Sequence, residues 1–350
     1  MRFRFTNTGT VMEISQLLFR NSYLSRVFTN IKGADGTGKD NTSMILAIKK
    51  AIGENLEREV LFSKSNKNRK NPILTCNKGK FSSKMEDSFS LLLDNVAMDN
   101  FRDSSGVASG DTTLVALNNA IFEFIERQSL VYSFLSKTPG ISLKKLVVKS
   151  GYVDILSKGK YFINDISIFE GISVILLIYW TEDGFTLGLG AHYNQKLAVD
   201  KAIIEALGYN AVVFKGNEKS ITFEEYISLI LNENKTEDLY EDYFRQNMTL
   251  NKLLESYCFL SKGKEVEIWR KQTFFGPEVL KKMSSYLNIS IDVQLLGTNN
   301  FNNYKVVRVS SKDAYPSINT ISFDPYKFRI SYFQGDEVTF YNQFCYLPFP

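Results

Sequence analysis

Two stretches of the chain carry the same acidic pair in the same register. Residues 47–58 read AIKKAIGENLER and residues 116–127 read ALNNAIFEFIER. Aligned without gaps, Ala47, Ala51, Ile52, Glu54, Glu57 and Arg58 match Ala116, Ala120, Ile121, Glu123, Glu126 and Arg127. On a helix, Glu at i and i+3 share one face, and the Arg that follows forms an i,i+4 pair with the first Glu. A single ExxER is ordinarily a solvated pair worth ~0.2–0.5 kcal/mol. Two copies in one register weigh against that reading. Four carboxylates gathered on one cleft repel unless cations lie between them, and Mg²⁺ bridging nucleotide phosphates supplies that charge with the oxygen ligands it prefers.

A fainter third copy starts at Ala198. AVDKAIIEALGY keeps Ala198, Ala202, Ile203 and Glu205, with Gly208 and Tyr209 where the others have Glu and Arg. The repeat spacing is too long for a solenoid, so the copies read as related units within one domain. All three have helical periodicity. Ile45, Ile48, Ile52 and Leu56 define an inward stripe in the first, and Leu114, Leu117, Ile121 and Ile125 in the second, with the glutamates opposite.

Each copy follows a glycine-containing segment: GADGTGKD (33–40), SSGVASGD (104–111) and GLGAH (188–192). GADGTGK meets the G-x-x-x-x-G-K half of a P-loop, but Asp40 stands where Ser or Thr would bind Mg²⁺. The segment therefore reads either as a plain glycine turn or as a different phosphate-contacting loop, with Lys39 over the nucleotide. His192, the chain's only histidine, reads as a structural hydrogen-bonding residue rather than a base.

Bulk properties narrow the chemistry further. The 350 residues allow a sizeable core, and 44% hydrophobic with 23% charged residues is ordinary for a globular protein. A net charge of +4, spread along the chain, gives no argument for nucleic acid. The longest apolar run, Ile172 to Trp180, suits a buried strand rather than a membrane span, and MRFRFTNTGT is not read as a signal peptide. Cys76, Cys258 and Cys345 lack metal-ligand spacing and fit a reducing, cytoplasmic setting. One histidine makes His-based nucleophilic triads a poor match. The chemistry has to lean on carboxylates, cations and backbone groups.

These blocks resemble the YcaO family. Gly38–Lys39 followed by AIGENLER is similar to its Gly-Lys segment before SxxxExxER, with Lys50 in place of the Ser. SSGVASGDTTLVALNNAIFEFIER resembles its second block, Ser105 standing near the usual Asn. GLGAHYNQKLAVDKAIIEAL resembles the third, with Glu205 kept and Gly208 at the Gln position. The ending CYLPFP is similar to the PxPxP tail of azoline-forming members, keeping Pro348 and Pro350 but having Tyr346 at the first proline. The likeness covers the whole chain, and the order of blocks is closest to the cyclodehydratase subunit of microcin-type azole synthetases.

The resemblance implies an α+β fold of mixed sheets and helices around an ATP cleft. It is expected to form a single domain over residues 1–350 with a helical insertion around 217–290. The implied activity is ATP-dependent conversion of Cys, Ser or Thr in a ribosomal precursor peptide to thiazoline or oxazoline rings. Glu54, Glu57, Glu123 and Glu126 would hold Mg²⁺; Lys39, Ser105, Arg58, Arg127 and Glu205 would serve the nucleotide; the Pro350 carboxylate would accept a proton. Because no separate recognition segment is visible, the implied partners are a leader-binding E1-like protein and a flavin-dependent azoline dehydrogenase, with no nucleic acid or membrane. Deleting Leu347–Pro350 is expected to stop ring formation while leaving thermal stability nearly unchanged. The rival readings are thioamide or amidine formation by the same ATP chemistry, a noncatalytic scaffold of the same fold, and an unrelated P-loop nucleotidase, which Asp40 opposes.

Overall fold

The computed structural model describes residues 2–5, 10–16, 23–28, 36–40, 43–62, 70–87, 104–149, 156–182, 184–208, 228, 236–266, 269–270, 276–298, 304–335 and 337–349. The first sheet holds β1 (Arg2–Phe5), β2 (Thr10–Gln16), β3 (Tyr23–Phe28) and β4 (Gly36–Asp40) in that order, all antiparallel. Helix α1 (Met44–Phe62) follows, then the hairpin β5 (Lys70–Asn77) and β6 (Lys80–Asp87), strand β7 (Val107–Gly110) and the long α2 (Thr113–Ser136). Next come β8 (Ile141–Ser142), α3 (Lys144–Lys149), β9 (Lys160–Asp165), β10 (Ser173–Trp180), β11 (Phe185–His192) and α4 (Gln195–Gly208). The remainder is α5 (Thr236–Asn247), α6 (Leu250–Ser256), β12 (Lys264–Glu265), α7 (Pro277–Tyr286), β13 (Ser290–Thr298) and β14 (Lys305–Ser310). The second sheet has the order β11-β10-β9-β8-β12 and the third β6-β5-β13-β14-β7. The architecture is α+β, as the resemblance implies.

After Ser173, strand β10 is apolar because both of its faces are covered. Val174, Leu176 and Ile178 point into the main core with α2, whereas Ile175 and Leu177 point into a second core with Ala198, Val199, Ala202 and Ile203 of α4. Helix α2 runs through the centre of the main core, where Ile121, Ile125, Leu130 and Leu135 are fully buried. Thr112 caps its start by accepting from the Val115 N–H at 3.2 Å, and Lys137 ends it in the left-handed conformation. Of the expected insertion, residues 217–227, 229–235, 267–268 and 271–275 lie outside the described residues. Phe244 of α5, Leu253 of α6 and Met283 of α7 enter the same core as α2.

Two expectations about the repeated blocks are corrected. The glycine segments, where described, are largely strands: Gly36 and Gly38 lie in β4, Gly110 in β7, and Gly188 and Gly190 in β11. Nor are Gly36, Gly38, Gly188 and Gly190 at positive φ. What they require is the absence of a side chain. A Cβ on Gly36 or Gly38 would lie 2.1 or 1.9 Å from the carbonyl oxygen of Ala51 or Ala47, and one on Gly188 or Gly190 would lie 2.0 or 2.4 Å from that of Ala202 or Ala198. Strand backbone thus packs directly on helix backbone, with small residues on both sides.

The helix stripes shift accordingly. In α1 Ala47 and Ala51 are fully buried, Leu56 is buried and Ile48 and Ile52 are partly buried as expected, while Ile45 is 63% exposed. In α2 Ile121 and Ile125 are inward as expected, but Leu114 is 55% exposed. In each helix an apolar residue of the first turn is thus left exposed.

Replacing Gly38 with Ala drives a methyl group into helix backbone that cannot step aside. The Gly38→Ala variant is expected to lose at least ~1–3 kcal/mol of stability, read as a lowered midpoint in thermal or urea unfolding. A midpoint equal to that of the parent chain would show that the close approach is not needed.

Candidate active site

The close packing brings helix side chains to strand backbone in a repeated way. Lys50 Nζ donates to the Lys39 carbonyl at 2.8 Å, Asn119 Nδ2 to the Ser109 carbonyl at 3.1 Å, and Lys201 Nζ to the Ala191 carbonyl at 3.1 Å. These three residues each precede the second matched alanine of their block. Two of the first glutamates turn to their own strands: Glu54 accepts from the Thr37 N–H at 2.6 Å and Glu205 from the Leu189 N–H at 2.8 Å. The second glutamates reach the next strand along, Glu57 accepting from the Ser109 N–H at 2.6 Å and Glu126 from the Ala191 N–H. Helix α4 also touches β4, so β4, α1, β7, α2, β11 and α4 close into a ring.

A cleft of about 560 Å³ opens within this ring. Glu54, Glu57, Glu123 and Glu126 all line it, together with Lys49, Lys50, Asn119 and Lys201. The four glutamates predicted to work together therefore share one cavity. Asn119 and Lys201 were not singled out in the sequence, although their place before a matched alanine marks them there.

Lys39, Ser105, Arg58, Arg127 and Glu205 do not line the cleft wall. Arg58 holds Glu54 Oε1 at 2.8 Å as a partly solvated i,i+4 pair. Lys39 lies in β4, not in a loop over a nucleotide, and feels Glu205 and Glu54. Arg127 attracts both Glu126 and Glu205. Ser105 sits in the turn before β7, next to Gly106 at φ 74°. Pro350 lies outside the described residues.

Asp40, the residue that spoils the P-loop pattern, has two partners. Its Oδ1 accepts from the Ser43 N–H at 2.9 Å at the start of α1, and its Oδ2 pairs with Lys50 Nζ at 3.0 Å. The lysine that replaces the family's serine and the aspartate that replaces the P-loop hydroxyl thus hold each other.

Burial dominates the electrostatics. It raises Glu57 to about 7 against the opposing Ser109 hydrogen bonds, and raises Glu126 to about 7, aided by Glu205 and opposed by Arg127 and Lys201. Both residues keep some exposed surface, so the carboxylates sit at the deep end of an open cleft. Burial raises Glu205 as well and lowers Lys39 to about 8. Lys201 lines open space, yet enough protein surrounds its ammonium to lower its pKa against the pull of Glu126. That ammonium also lies 4.7 Å from the centre of the Phe122 ring. His192 Nδ1 accepts from the Asn194 N–H at 2.9 Å, and burial followed by Lys201 lowers it to about 4, which keeps the ring neutral.

Among the described residues no three acidic, histidine or cysteine side chains gather tightly enough to form a ready-made metal cage. Mg²⁺ rarely uses one; it takes one or two carboxylates and completes its shell with phosphate oxygens and water. The cleft fits that habit. Its carboxylates supply oxygen only, and Glu126 still stands near 7 despite two neighbouring cations, so the site retains a demand for positive charge.

The comparisons with known proteins bear on the family and the fold. A model of the family described as YcaO cyclodehydratase, ATP- and Mg²⁺-binding, matches residues 94–293, more than half of the chain. The chain belongs to the YcaO family. Its fold is similar to a chain of the E. coli microcin synthetase McbBCD complex with pro-MccB17 bound (TM-score 0.71, 15% identity, covering 97% of this chain and 96% of that one). It is similar to YcaO from Methanopyrus kandleri bound with AMPPCP and Mg²⁺ (TM-score 0.61, 14% identity, 87% of this chain and 86% of that one). A heterocyclase in complex with substrate and cofactor matches at TM-score 0.58 and 13% identity over 87% of this chain and 49% of the other. No curated protein matches the chain in sequence. No helix among the described residues is long and apolar enough to cross a membrane.

The expectation that the C-terminal tail could be removed without loss of stability is corrected. Leu347 is fully buried, Phe349 is 2% exposed, and both belong to the main core. Deleting them would open a cavity, so truncation would not separate a role in chemistry from a role in folding.

The raised carboxyls also have a consequence for stability. The folded chain holds protons on Glu57 and Glu126 up to about 7, whereas their ordinary value is 4.5. Their contribution is therefore complete below about 4.5 and lost as pH rises through about 7. Melting of the ligand-free protein across that range should show a fall that is shallower in Glu57→Gln and Glu126→Gln. Identical slopes in parent and variants would mean that the two carboxyls titrate normally.

Proposed function

We propose that this YcaO protein is an ATP-dependent cyclodehydratase, forming thiazoline or oxazoline rings from Cys, Ser or Thr of a ribosomal precursor peptide. The observation that carries the reading is the pair of ExxE motifs, from two different helices, lining one cleft with two of their carboxyls displaced toward neutrality.

The residues divide by what their surroundings allow. Glu57 and Glu126, each anchored by a backbone N–H of the neighbouring strand, are oriented for Mg²⁺, with Glu54 and Glu123 beside them. Lys50 and Lys201 offer ammonium donors along the same cleft for phosphate oxygens, and Asn119 a side-chain amide. Arg127, Glu205 and Lys39 form a charged layer behind the wall that balances the glutamates; Arg58 holds Glu54, and Ser105 is placed at the approach to β7. Bound Mg·ATP supplies the phosphoryl group that turns an amide oxygen into a leaving phosphate. The cleft's part is to hold that oxygen in line and offset charge as it develops. The balance is one water removed from the peptide, delivered to ATP as ADP and phosphate. The Pro350 carboxylate is proposed as proton acceptor, with support from the tail's docking beside Arg127.

We further propose that an E1-like partner delivers the precursor by its leader and that a flavin-dependent dehydrogenase oxidises the azoline. The fold likeness to a chain of a synthetase complex solved with its peptide supports this arrangement. A second reading, a noncatalytic scaffold, is favoured by one observation: the Lys50 ammonium stands in the cleft where the family usually has Ser. Nucleotide binding by the purified chain separates the two. Mass spectrometry separates ring formation, which removes one water, from thioamide formation by sulfur exchange.

Glu57→Gln and Glu126→Gln each remove one charge at nearly constant volume. Each is expected to lower ATP turnover by at least about 100-fold while keeping the fold, a loss of the size seen when one preorganised charge-stabilising group is removed. Phosphate release and circular dichroism, measured together, test this. Turnover at the parent rate in both variants would end the metal-site assignment.

A further inference from the structure

The C-terminal tail is held by an aromatic clasp. The hydroxyl of Tyr240 on α5 donates to the Leu347 carbonyl, and that of Tyr257, just after α6, donates to the Pro348 carbonyl at 3.1 Å. In return the tail's own Tyr346 donates its hydroxyl to the Tyr240 carbonyl at 3.0 Å. The Tyr346 ring lies 4.6 Å from that of Tyr240 and 4.9 Å from that of Tyr243. Tail and helix therefore exchange hydrogen bonds in both directions across a tilted and an edge-on aromatic contact. A proline at position 346 would stiffen the tail from within by fixing φ. Tyr346 stiffens it from outside, by contacts that can be broken.

One step further along, the Phe349 ring lies under the Arg127 guanidinium, 5.7 Å from its centre. Arg127 is drawn to Glu126 and Glu205, and Glu126 lines the cleft. Two parts of the molecule that are far apart in sequence thus share one side chain. Whatever orders Glu126 orders Arg127, and an ordered guanidinium is a better seat for Phe349, because less conformational entropy is lost when the ring settles against it.

We infer that Tyr346 and Phe349 are positioning residues that make the seating of the C-terminal tail and the binding of nucleotide in the cleft mutually dependent, with Arg127 as the shared contact. The inference rests on the reading of the cleft as a nucleotide site. The dependence is reciprocal by linkage: if nucleotide tightens the tail, the seated tail tightens nucleotide by the same factor.

The test uses the full chain with Mg·AMPPCP as the probe. Hydrogen exchange is followed over residues 340–349, where the Phe349 N–H bonds to the Leu347 carbonyl at 2.9 Å. In the parent chain, saturating Mg·AMPPCP is expected to slow tail exchange by about tenfold. Phe349→Leu keeps an apolar side chain but loses the ring; it should still bind Mg·AMPPCP, several-fold more weakly, and lose the slowing. Tyr346→Phe should keep part of the slowing and Tyr346→Ala should lose it. A parent chain that binds the probe without any change in tail exchange overturns this inference alone. So does a Phe349→Leu protein with a lower melting temperature but an undiminished response, since the tail would then be only structural. A parent chain that does not bind Mg·AMPPCP overturns the nucleotide reading of the cleft, and this inference with it.

Discussion

The whole site depends on how closely a strand backbone can approach a helix backbone. Gly36 and Gly38 against Ala51 and Ala47, and Gly188 and Gly190 against Ala202 and Ala198, leave no room for a Cβ. At that distance a lysine or asparagine on the helix can reach a strand carbonyl, and a glutamate can reach a strand N–H. Gly53 lies further along α1, where a Cβ would meet the Ser109 hydroxyl at 2.5 Å, on the residue whose N–H Glu57 accepts. Widening any of these seams by a methyl group would move several cleft-lining groups at once. The ring of alternating strands and helices is therefore both the framework and the means of aiming side chains into the cleft.

That framework fixes charge at some cost. Glu57 and Glu126 are held deep enough that ionising them is unfavourable near neutral pH, and the nearby cations, Arg58 beside Glu57 and Arg127 and Lys201 beside Glu126, do not fully restore the balance. A cleft built only for stability would have used apolar or neutral groups at these positions. Carboxyls left part-way between protonated and ionised are instead suited to a ligand that brings its own divalent charge.

The acidic register was legible in the sequence because ExxER repeats at fixed offsets, and so was β10, because a strand covered on both faces is apolar at every position. The glycines were legible as important but not as strands. Gly-x-Gly beside a lysine looks locally like a phosphate turn, and only the distance to a helix elsewhere in the chain shows that the missing Cβ is needed for packing. Ile45 and Leu114 were misplaced for a related reason: periodicity identifies an apolar face but not how much of it is covered. Lys201 and Asn119 could have been found from their offset in the aligned blocks. The burial of the tail could not, since Leu347 and Phe349 in a terminal segment carry no local sign of what packs on them.

The departures from the family pattern make more sense together than singly. Glu57 of α1 and Glu126 of α2 each cap the N–H of a strand residue in the next block, Ser109 and Ala191. The equivalent position on α4 is Gly208, which has no side chain to offer the corresponding residue of β4, Lys39. At that corner of the ring the charges are mixed: Lys39 stands among Glu205, Glu54 and Arg26, and Lys50 is fixed by Asp40. The ring thus has two corners where a carboxylate accepts from the next strand and one where glycine leaves that place to neighbouring charged side chains. A ligand carrying both a divalent cation and phosphate oxygens would meet carboxylates and ammonium groups along the same cleft, and would be oriented by them before any chemistry began.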